Sequence, residues 1–251
     1  MRVAMSQPTY LPWLGYLDLI DQVDAFVFLD TVQFEKRSWQ QRNRIKAPGG
    51  LSFLTVPVVV KGRFEQRIQN VEIESLYFVR KHLRSIETNY RRSPFFSRYF
   101  MELAGIFEAC TIGSRLADLN IELIQWLCRV LGIATPLLRS SQVDREGCRS
   151  GLLLNLCQTL NADFYLSVPG SSEYLLNDTP QFFAAGIGVA FQHYEHPSYL
   201  QQFPPFLSHA SAIDLLFNEG PHSLEILRSG RRPALHPAEV HFREKEVVAG
   251  A

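Results

Sequence analysis

The sequence predicts an α/β domain built on a parallel, Rossmann-like sheet, with a β-hairpin insertion and a helical subdomain. Three observations predict it. Arg2–Met5 and Ala25–Phe26–Val27–Phe28–Leu29 are compact apolar runs of strand type, and Leu14–Val23 between them carries apolar residues at 14, 17, 19, 20 and 23, a helical stripe. This β-loop-α-β order builds adjacent parallel strands with a crossover helix. Apolar strand-length runs return at 134–138, 163–168 and 186–192, after a middle segment whose periodicity is helical.

Taken in order, Pro8 and Pro12 cannot continue a central ladder, so the chain leaves the sheet after Met5. The loop after the first strand and the start of its helix then face the ligand crevice. Gly15 permits close backbone approach there. The next segment, Gln33–Lys46, supplies Lys36, Arg37, Arg42, Arg44 and Lys46 against the single acid Glu35. Arginine forks match phosphate or carboxylate in bidentate fashion, and a solvated basic hairpin is the plain alternative. Ala47–Pro48–Gly49–Gly50 is a turn signal between Asn43–Lys46 and Leu51–Val60, which predicts a β-hairpin, with Pro57 at an edge or bulge. Ile68–Ile73 alternates weakly and is a candidate to pair with it.

Helices are predicted over Leu76–Tyr90, over Pro94–Ala109 with Ser93 as N-cap, and from Ser114 as N-cap to Gly132 at C′. The α/β pattern resumes with a strand over 134–138, a helix over 146–160, and strands over 163–168 and 186–192. The organisation expected is one domain over residues 1–230 with a helical insertion at about 75–132. A polar, turn-rich tail, partly disordered, is expected over 231–251.

Composition bounds the function. Of the 251 residues, 46% are apolar, enough for a sizeable core, and the formal net charge is +0. No global field attracts nucleic acid or a membrane, so basic charge acts locally. The start has no apolar signal region and no run approaches a membrane span, so a cytoplasmic protein is expected. Cys110, Cys128, Cys148 and Cys157 form no C-x-x-C pair and read as reduced, buried thiols.

Candidate site residues gather in three places. The first is the Gln7–Tyr16 loop with Gln33–Lys46. The second is Ser167–Asn177, where Pro169, Gly170, Ser171 and Ser172 present N–H and hydroxyl groups to an anion or form a simple turn. In the third, Arg145 and Arg149 lie four apart near a helix start, suited to clamping one anion or to solvation. His193–Tyr194–Glu195–His196 lacks a third neighbouring ligand at metal-site spacing, so no metal is expected. His193 suits a general acid or base, and His209 reads as a helix-start residue. Aromatics near Tyr90–Phe100 interleave with basic residues, which suits base stacking or core packing.

The pattern QPTYLPWLGYLDLI at 7–20, followed by FVFLDTVQFEKRSWQQRNRI at 26–45, resembles the WbqC-like family of bacterial proteins. Tyr165–Ser167 with Gly170–Leu175, Tyr199–Gln202 and Ser211–Asn218 fit the same family, so the resemblance covers about residues 2–220. Its members occur in gene clusters for surface polysaccharides such as O-antigen and for specialised metabolites. The resemblance implies an enzyme of such a pathway that binds a phosphorylated or nucleotide-linked small molecule and transfers an acyl or aminoacyl group or forms an amide. The substrate-binding residues implied are Gln7, Pro8, Tyr10, Gly15, Gln33, Lys36, Arg37, Trp39, Arg42, Asn43, Arg44, Arg145, Arg149, Gly170, Ser171, Ser172 and Tyr174. His193 and Tyr16 are the catalytic candidates. The co-substrate is an acyl or aminoacyl donor, aminoacyl-tRNA included, or ATP.

Trp13–Leu14–Gly15–Tyr16 is also similar in spacing to the H-x-G-H signature of adenylate-forming and nucleotidyl-transferring enzymes. Thr31–Phe34 resembles a strand-end segment of pantothenate synthetases. Both histidines of that signature are replaced here, by Trp13 and Tyr16, which turns the expectation away from triphosphate chemistry. The remaining alternatives are an ATP-dependent adenylate-forming enzyme and a non-catalytic nucleotide-sugar or RNA-binding protein.

Overall fold

The computed structural model describes residues 1–143 and 147–240. The chain opens with β1 (Arg2–Ser6), α1 (Leu14–Asp21) and β2 (Ala25–Phe28), then the hairpin β3 (Arg42–Ala47) and β4 (Gly50–Thr55). Three helices follow: α2 (Tyr77–Tyr90), α3 (Phe96–Glu108) and α4 (Leu116–Leu131). Next come β5 (Leu137–Arg139), α5 (Arg149–Thr159) and β6 (Phe164–Ser167). The short helices α6 (Ser172–Leu175) and α7 (Thr179–Ala184) lead into β7 (Gly188–Tyr194), and α8 (Ala212–Glu219), α9 (Ser223–Ser229) and β8 (Arg231–Leu235) complete the fold.

The main sheet has the order β5-β2-β1-β6-β7-β8. Val3 sits opposite Ala25 on one side of β1 and Tyr165 on the other, and both pairings are parallel. Only β8 runs antiparallel, against β7. Both faces of the sheet are covered, which is why the strands read as near-continuous apolar runs. Val3, Met5, Val27, Tyr165 and Phe191 pack with Leu152, Leu156 and Phe182 on one face. Ala4, Phe26, Phe28 and Leu166 pack with Leu17, Leu123 and Ile213 on the other. The parallel α/β core and the hairpin expected from the sequence are both present.

Several local expectations differ. Ile68–Asn70 is a short 3-10 turn, and the segment meets the hairpin's continuation only through a bridge between Val58 and Ile73. The N-cap of α3 is Phe95, because the Ser93 hydroxyl donates instead to Oε1 of Gln202 at 2.8 Å. The N-cap of α4 is Arg115, because Ser114 Oγ accepts from the Thr111 N–H at 2.9 Å. Gly132 ends α4 as expected, in the left-handed region at φ 80°. His209 lies outside any helix, and the cap of α8 is Ser211, whose hydroxyl accepts from the Ile213 N–H. Cys148 is exposed, whereas Cys128 and Cys157 are buried and Cys110 is partly so.

Residues 231–235, expected within a polar tail, form an edge strand. Their polar character has a partner: Arg231 Nε lies 2.9 Å from Oδ1 of Asp18, a fully buried carboxylate on α1. Asp21 pairs with both Arg228 and Arg231. Residues 241–251 lie outside the described part. Among the described residues no helix is long and apolar enough to cross a membrane.

Candidate functional site

From β1 the chain continues to β2 on one side, while β6 and β7 add on the other. The carboxyl ends of β1 and β6 therefore mark the point where strand order reverses, the place where open α/β sheets hold ligands. The loop leaving β1 is held there by buried amides. Asn120 Nδ2 donates to the carbonyls of Pro8 (3.0 Å) and Gln40 (2.7 Å). Asn43 Nδ2 donates to those of Tyr10 (3.1 Å) and Leu11 (2.8 Å). Both prolines break the ladder, and these amides satisfy the carbonyls that the break strands in the interior.

A cavity of about 520 Å³ opens at this point, within the usual range for small-molecule sites. Ser6, at the end of β1, and Gln192 of β7 reach it from the sheet. Trp13, Gly15, Tyr16 and Leu19 reach it from the start of α1, and Val168–Gly170 from the loop after β6. Trp39, Asn43 and Arg44 form the hairpin side, Thr9 the loop side, and His209 the side nearest α8.

The wall chemistry is selective. Among its described residues there is no Asp, Glu or Lys, and Arg44 is the only Arg. No carboxylate pairs with Arg44 among the described ion pairs, and its buried Nε has no hydrogen-bond partner. Desolvation lowers its pKa, yet a guanidinium stays charged in proteins. Thr9 Oγ1 is likewise buried without a partner. The amide of Gln192, by contrast, is committed to the scaffold: Nε2 donates to the Gly15 carbonyl at 2.9 Å and to Asp18 Oδ2 at 2.8 Å.

Gly15 is required by its neighbour. A Cβ there would stand 2.3 Å from Cη2 of Trp13. The indole lies across the start of α1, with Tyr194 edge-on at 5.7 Å and His209 stacked at 5.1 Å. His196 lies on the same side, 6.3 Å from the indole centroid and nearly parallel. Burial pushes the pKa of His196 down to about 4, so its ring is neutral near pH 7. Tyr16 donates its hydroxyl to the Gln7 carbonyl at 3.0 Å. Burial raises its pKa well above the ordinary value, which keeps the hydroxyl protonated near neutral pH.

The structure brings Gly15, Tyr16, Trp39, Asn43, Arg44 and Gly170 to one cavity. Gln7, Pro8, Tyr10 and Ser171 support it from behind. Gln7 Oε1 accepts from Gln40 Nε2, and fully buried Tyr10 bonds His82 Nδ1 at 2.8 Å. The hydroxyl of Ser171 donates to the Val168 carbonyl at 2.7 Å. Gln33, Lys36, Arg37, Arg42, Ser172, Tyr174 and Arg149 are not on the wall. Gln33 donates to the Phe64 carbonyl, Lys36 covers the Phe64 ring, and Arg149 is exposed at the start of α5. Arg145 lies outside the described residues. His193 is off the wall too, with Nε2 3.8 Å from Glu195 Oε1, and β7 presents Gln192 to the cavity in its place.

The imidazole on the wall is His209, which the sequence reading placed at a helix start. A buried network folds its loop back: Asp214 accepts from Tyr90, Tyr199 and Gln201, and Lys46 Nζ donates to the Pro205 carbonyl at 2.6 Å. Those contacts span up to 159 residues, so no local signal marks them.

A family model described as the WbqC-like protein family matches residues 7–226. The chain belongs to this family. The match includes the loop after β1, the hairpin and the His209 loop, so every wall residue of the cavity except Ser6 lies within the family's extent. The chain is also 38% identical over 234 residues to the uncharacterized protein Rv1507c of Mycobacterium tuberculosis, covering 92% of this chain and 99% of that protein. No solved structure matches significantly.

Proposed function

We propose that this WbqC-like protein is an enzyme of bacterial surface-polysaccharide or specialised-metabolite biosynthesis that transfers an acyl or aminoacyl group from a phosphate-bearing donor. One observation carries the reading: Arg44, partly buried and without a carboxylate partner among the described residues, stands on the wall of the switch-point cavity. A guanidinium in that setting suits a phosphate, which it can hold through charge-assisted bonds.

Two other wall groups suit acyl transfer. An acceptor amine attacks the donor's acyl carbon and loses a proton, an amide bond forms, and the thiol or hydroxyl carrier leaves with a proton. His209 is an acid–base group by type and takes the role for which the sequence reading nominated His193. The Thr9 hydroxyl, buried and unpartnered, is a donor for the carbonyl oxygen as charge develops on it.

The test is a thermal-shift screen with acetyl-coenzyme A, aminoacyl-tRNA, nucleotide sugars and ATP on the wild type and Arg44→Ala. A ligand at 100 times its Kd stabilises the native state by about 2.7 kcal/mol. An acyl or aminoacyl donor is expected to raise the melting temperature of the wild type and not of Arg44→Ala. Stabilisation by ATP alone, with pyrophosphate exchange into ATP, would replace this reading with adenylate formation.

A further inference from the structure

Trp39 and Phe53 are each 48% exposed, yet they stack on one another with centroids 6.2 Å apart and planes at 27°. Arg42 Cζ lies 4.6 Å from the Phe53 centroid, and Arg44 Cζ lies 5.3 Å from that of Trp39 and 6.0 Å from that of Phe53. The hairpin register explains the grouping, since Arg44 sits directly opposite Phe53 and Arg42 is two residues along the same face. Neither arginine pairs with a carboxylate among the described ion pairs.

The group is fixed to the cavity by backbone. The Trp39 carbonyl accepts from Tyr10 N at 2.9 Å, and the Arg44 carbonyl accepts from Ser211 N at 2.8 Å. Trp39 and Arg44 are themselves wall residues. A stacked pair of half-open aromatic rings therefore borders, at the cavity rim, a guanidinium with no carboxylate partner among the described residues. Exposed Phe64 and Tyr77 also carry a cation, Lys36 and Arg80 respectively, but neither ring lies on the wall of this cavity.

We infer that Trp39 and Phe53 form a stacking platform for the base of a nucleotide whose phosphate is held by Arg44. This rests on the donor-binding reading above and deepens it: the donor is nucleotide-linked, and its base lies on the hairpin outside the reacting chamber. Every base has a flat π-face, and stacking on an aromatic side chain is tolerant of which base it is. A wall with a cation and no acid among its described residues favours a base–phosphate unit over a neutral sugar ring. Arginines over aromatic rings also stabilise a hairpin by themselves, and ligand binding separates that role from the platform.

The experiment is calorimetric titration of the whole protein with AMP, UMP, 3′,5′-ADP and inorganic phosphate. Wild type, Trp39→Ala, Trp39→Phe, Phe53→Ala and Arg44→Ala are compared, with thermal melts as a folding control, and a single-stranded RNA ending in adenosine is titrated into the wild type. AMP and UMP are expected to bind the wild type at least about tenfold more tightly than phosphate does. Trp39→Ala and Phe53→Ala are expected to lose most of the advantage of AMP over phosphate, and Trp39→Phe to keep most of it. A single-stranded RNA ending in adenosine that outbinds AMP would identify an RNA end as the source of the base; equal affinities would identify a small nucleotide-linked donor. Equal binding of AMP by wild type and Trp39→Ala, with phosphate binding still dependent on Arg44, overturns the platform and leaves the phosphate site standing. Absence of any phosphate binding, unchanged in Arg44→Ala, overturns both.

Discussion

A Gly15→Ala substitution adds one methyl group where the Trp13 indole already lies, 2.3 Å from Cη2 and 2.4 Å from Cζ2. Carbon atoms in contact prefer about 3.5–4.0 Å, so the ring must retreat by more than about 1 Å. It has little room to do so. Tyr194 meets it edge-on at 5.7 Å, and His209 stacks on it at 5.1 Å. Overpacking of this kind costs about 1–3 kcal/mol. Against that, alanine in place of a helical glycine gains about 0.5–1 kcal/mol, and Gly15 is the second residue of α1. The net expectation is a loss of up to about 2 kcal/mol, read as a lower denaturation midpoint at unchanged m-value. The second readout is ligand affinity: a displaced indole disturbs the His209 stack and narrows the cavity, so binding of a phosphate-bearing donor should fall about fivefold or more, a shift of about 1 kcal/mol. A variant more stable than wild type, with unchanged donor affinity, would show that Trp13 does not pack on Gly15.

Other outcomes follow from the buried polar groups. His82 is held neutral, its pKa lowered by burial to about 4, with Tyr10 bonding Nδ1. Stability from this histidine is complete above pH 6.5 and is lost as pH falls toward 4. The loss is at most about 3 kcal/mol, and His82→Gln should flatten the fall in a wild-type-minus-variant comparison of midpoints; parallel curves would refute the assignment. Asp214→Ala leaves the hydroxyls of Tyr90 and Tyr199 and the Gln201 amide without their buried acceptor. It should cost about 3–5 kcal/mol and, by loosening the His209 loop, weaken donor binding in a titration below the melting range. Cys148 is exposed while Cys128 and Cys157 are buried and held protonated, their pKa pushed up to about 12 by burial. Mass spectrometry after brief alkylation of the native protein should find the label on Cys148 before either buried thiol.

What was legible in the sequence follows from how far each contact reaches. The strands of the core are apolar on both faces because helices cover both faces, so Ala25–Phe28 and Phe164–Ser167 were visible as short continuous runs. The hairpin was visible through Pro48–Gly49–Gly50, and α4 through its apolar stripe and Gly132. Helix caps were less legible, since Ser93 and Ser114 use their hydroxyls for other partners. Within the cavity, Gly15, Trp39, Arg44 and Gly170 stood out as two glycines, an aromatic and a cation in polar segments, which is unlike a core. Tyr10 was misleading for the same reason: it lies in a polar loop, yet its ring is fully buried against His82. That His209, and not His193, lines the cavity was beyond local reasoning. It depends on the Lys46–Pro205 and Asp214 contacts, and the edge strand β8 likewise depends on Asp18 and Asp21 lying more than 200 residues earlier.

On the proposed function, a donor phosphate sits at the strand-order reversal, against Arg44. The most direct measurement is a crystal structure of the protein grown with 3′,5′-ADP. The account predicts a phosphate oxygen about 2.7–2.9 Å from the Arg44 guanidinium, in the cavity between the carboxyl ends of β1 and β6. A phosphate in the exposed cleft of Tyr77, Arg80, Lys81 and Arg84 on α2, with none beside Arg44, would contradict it.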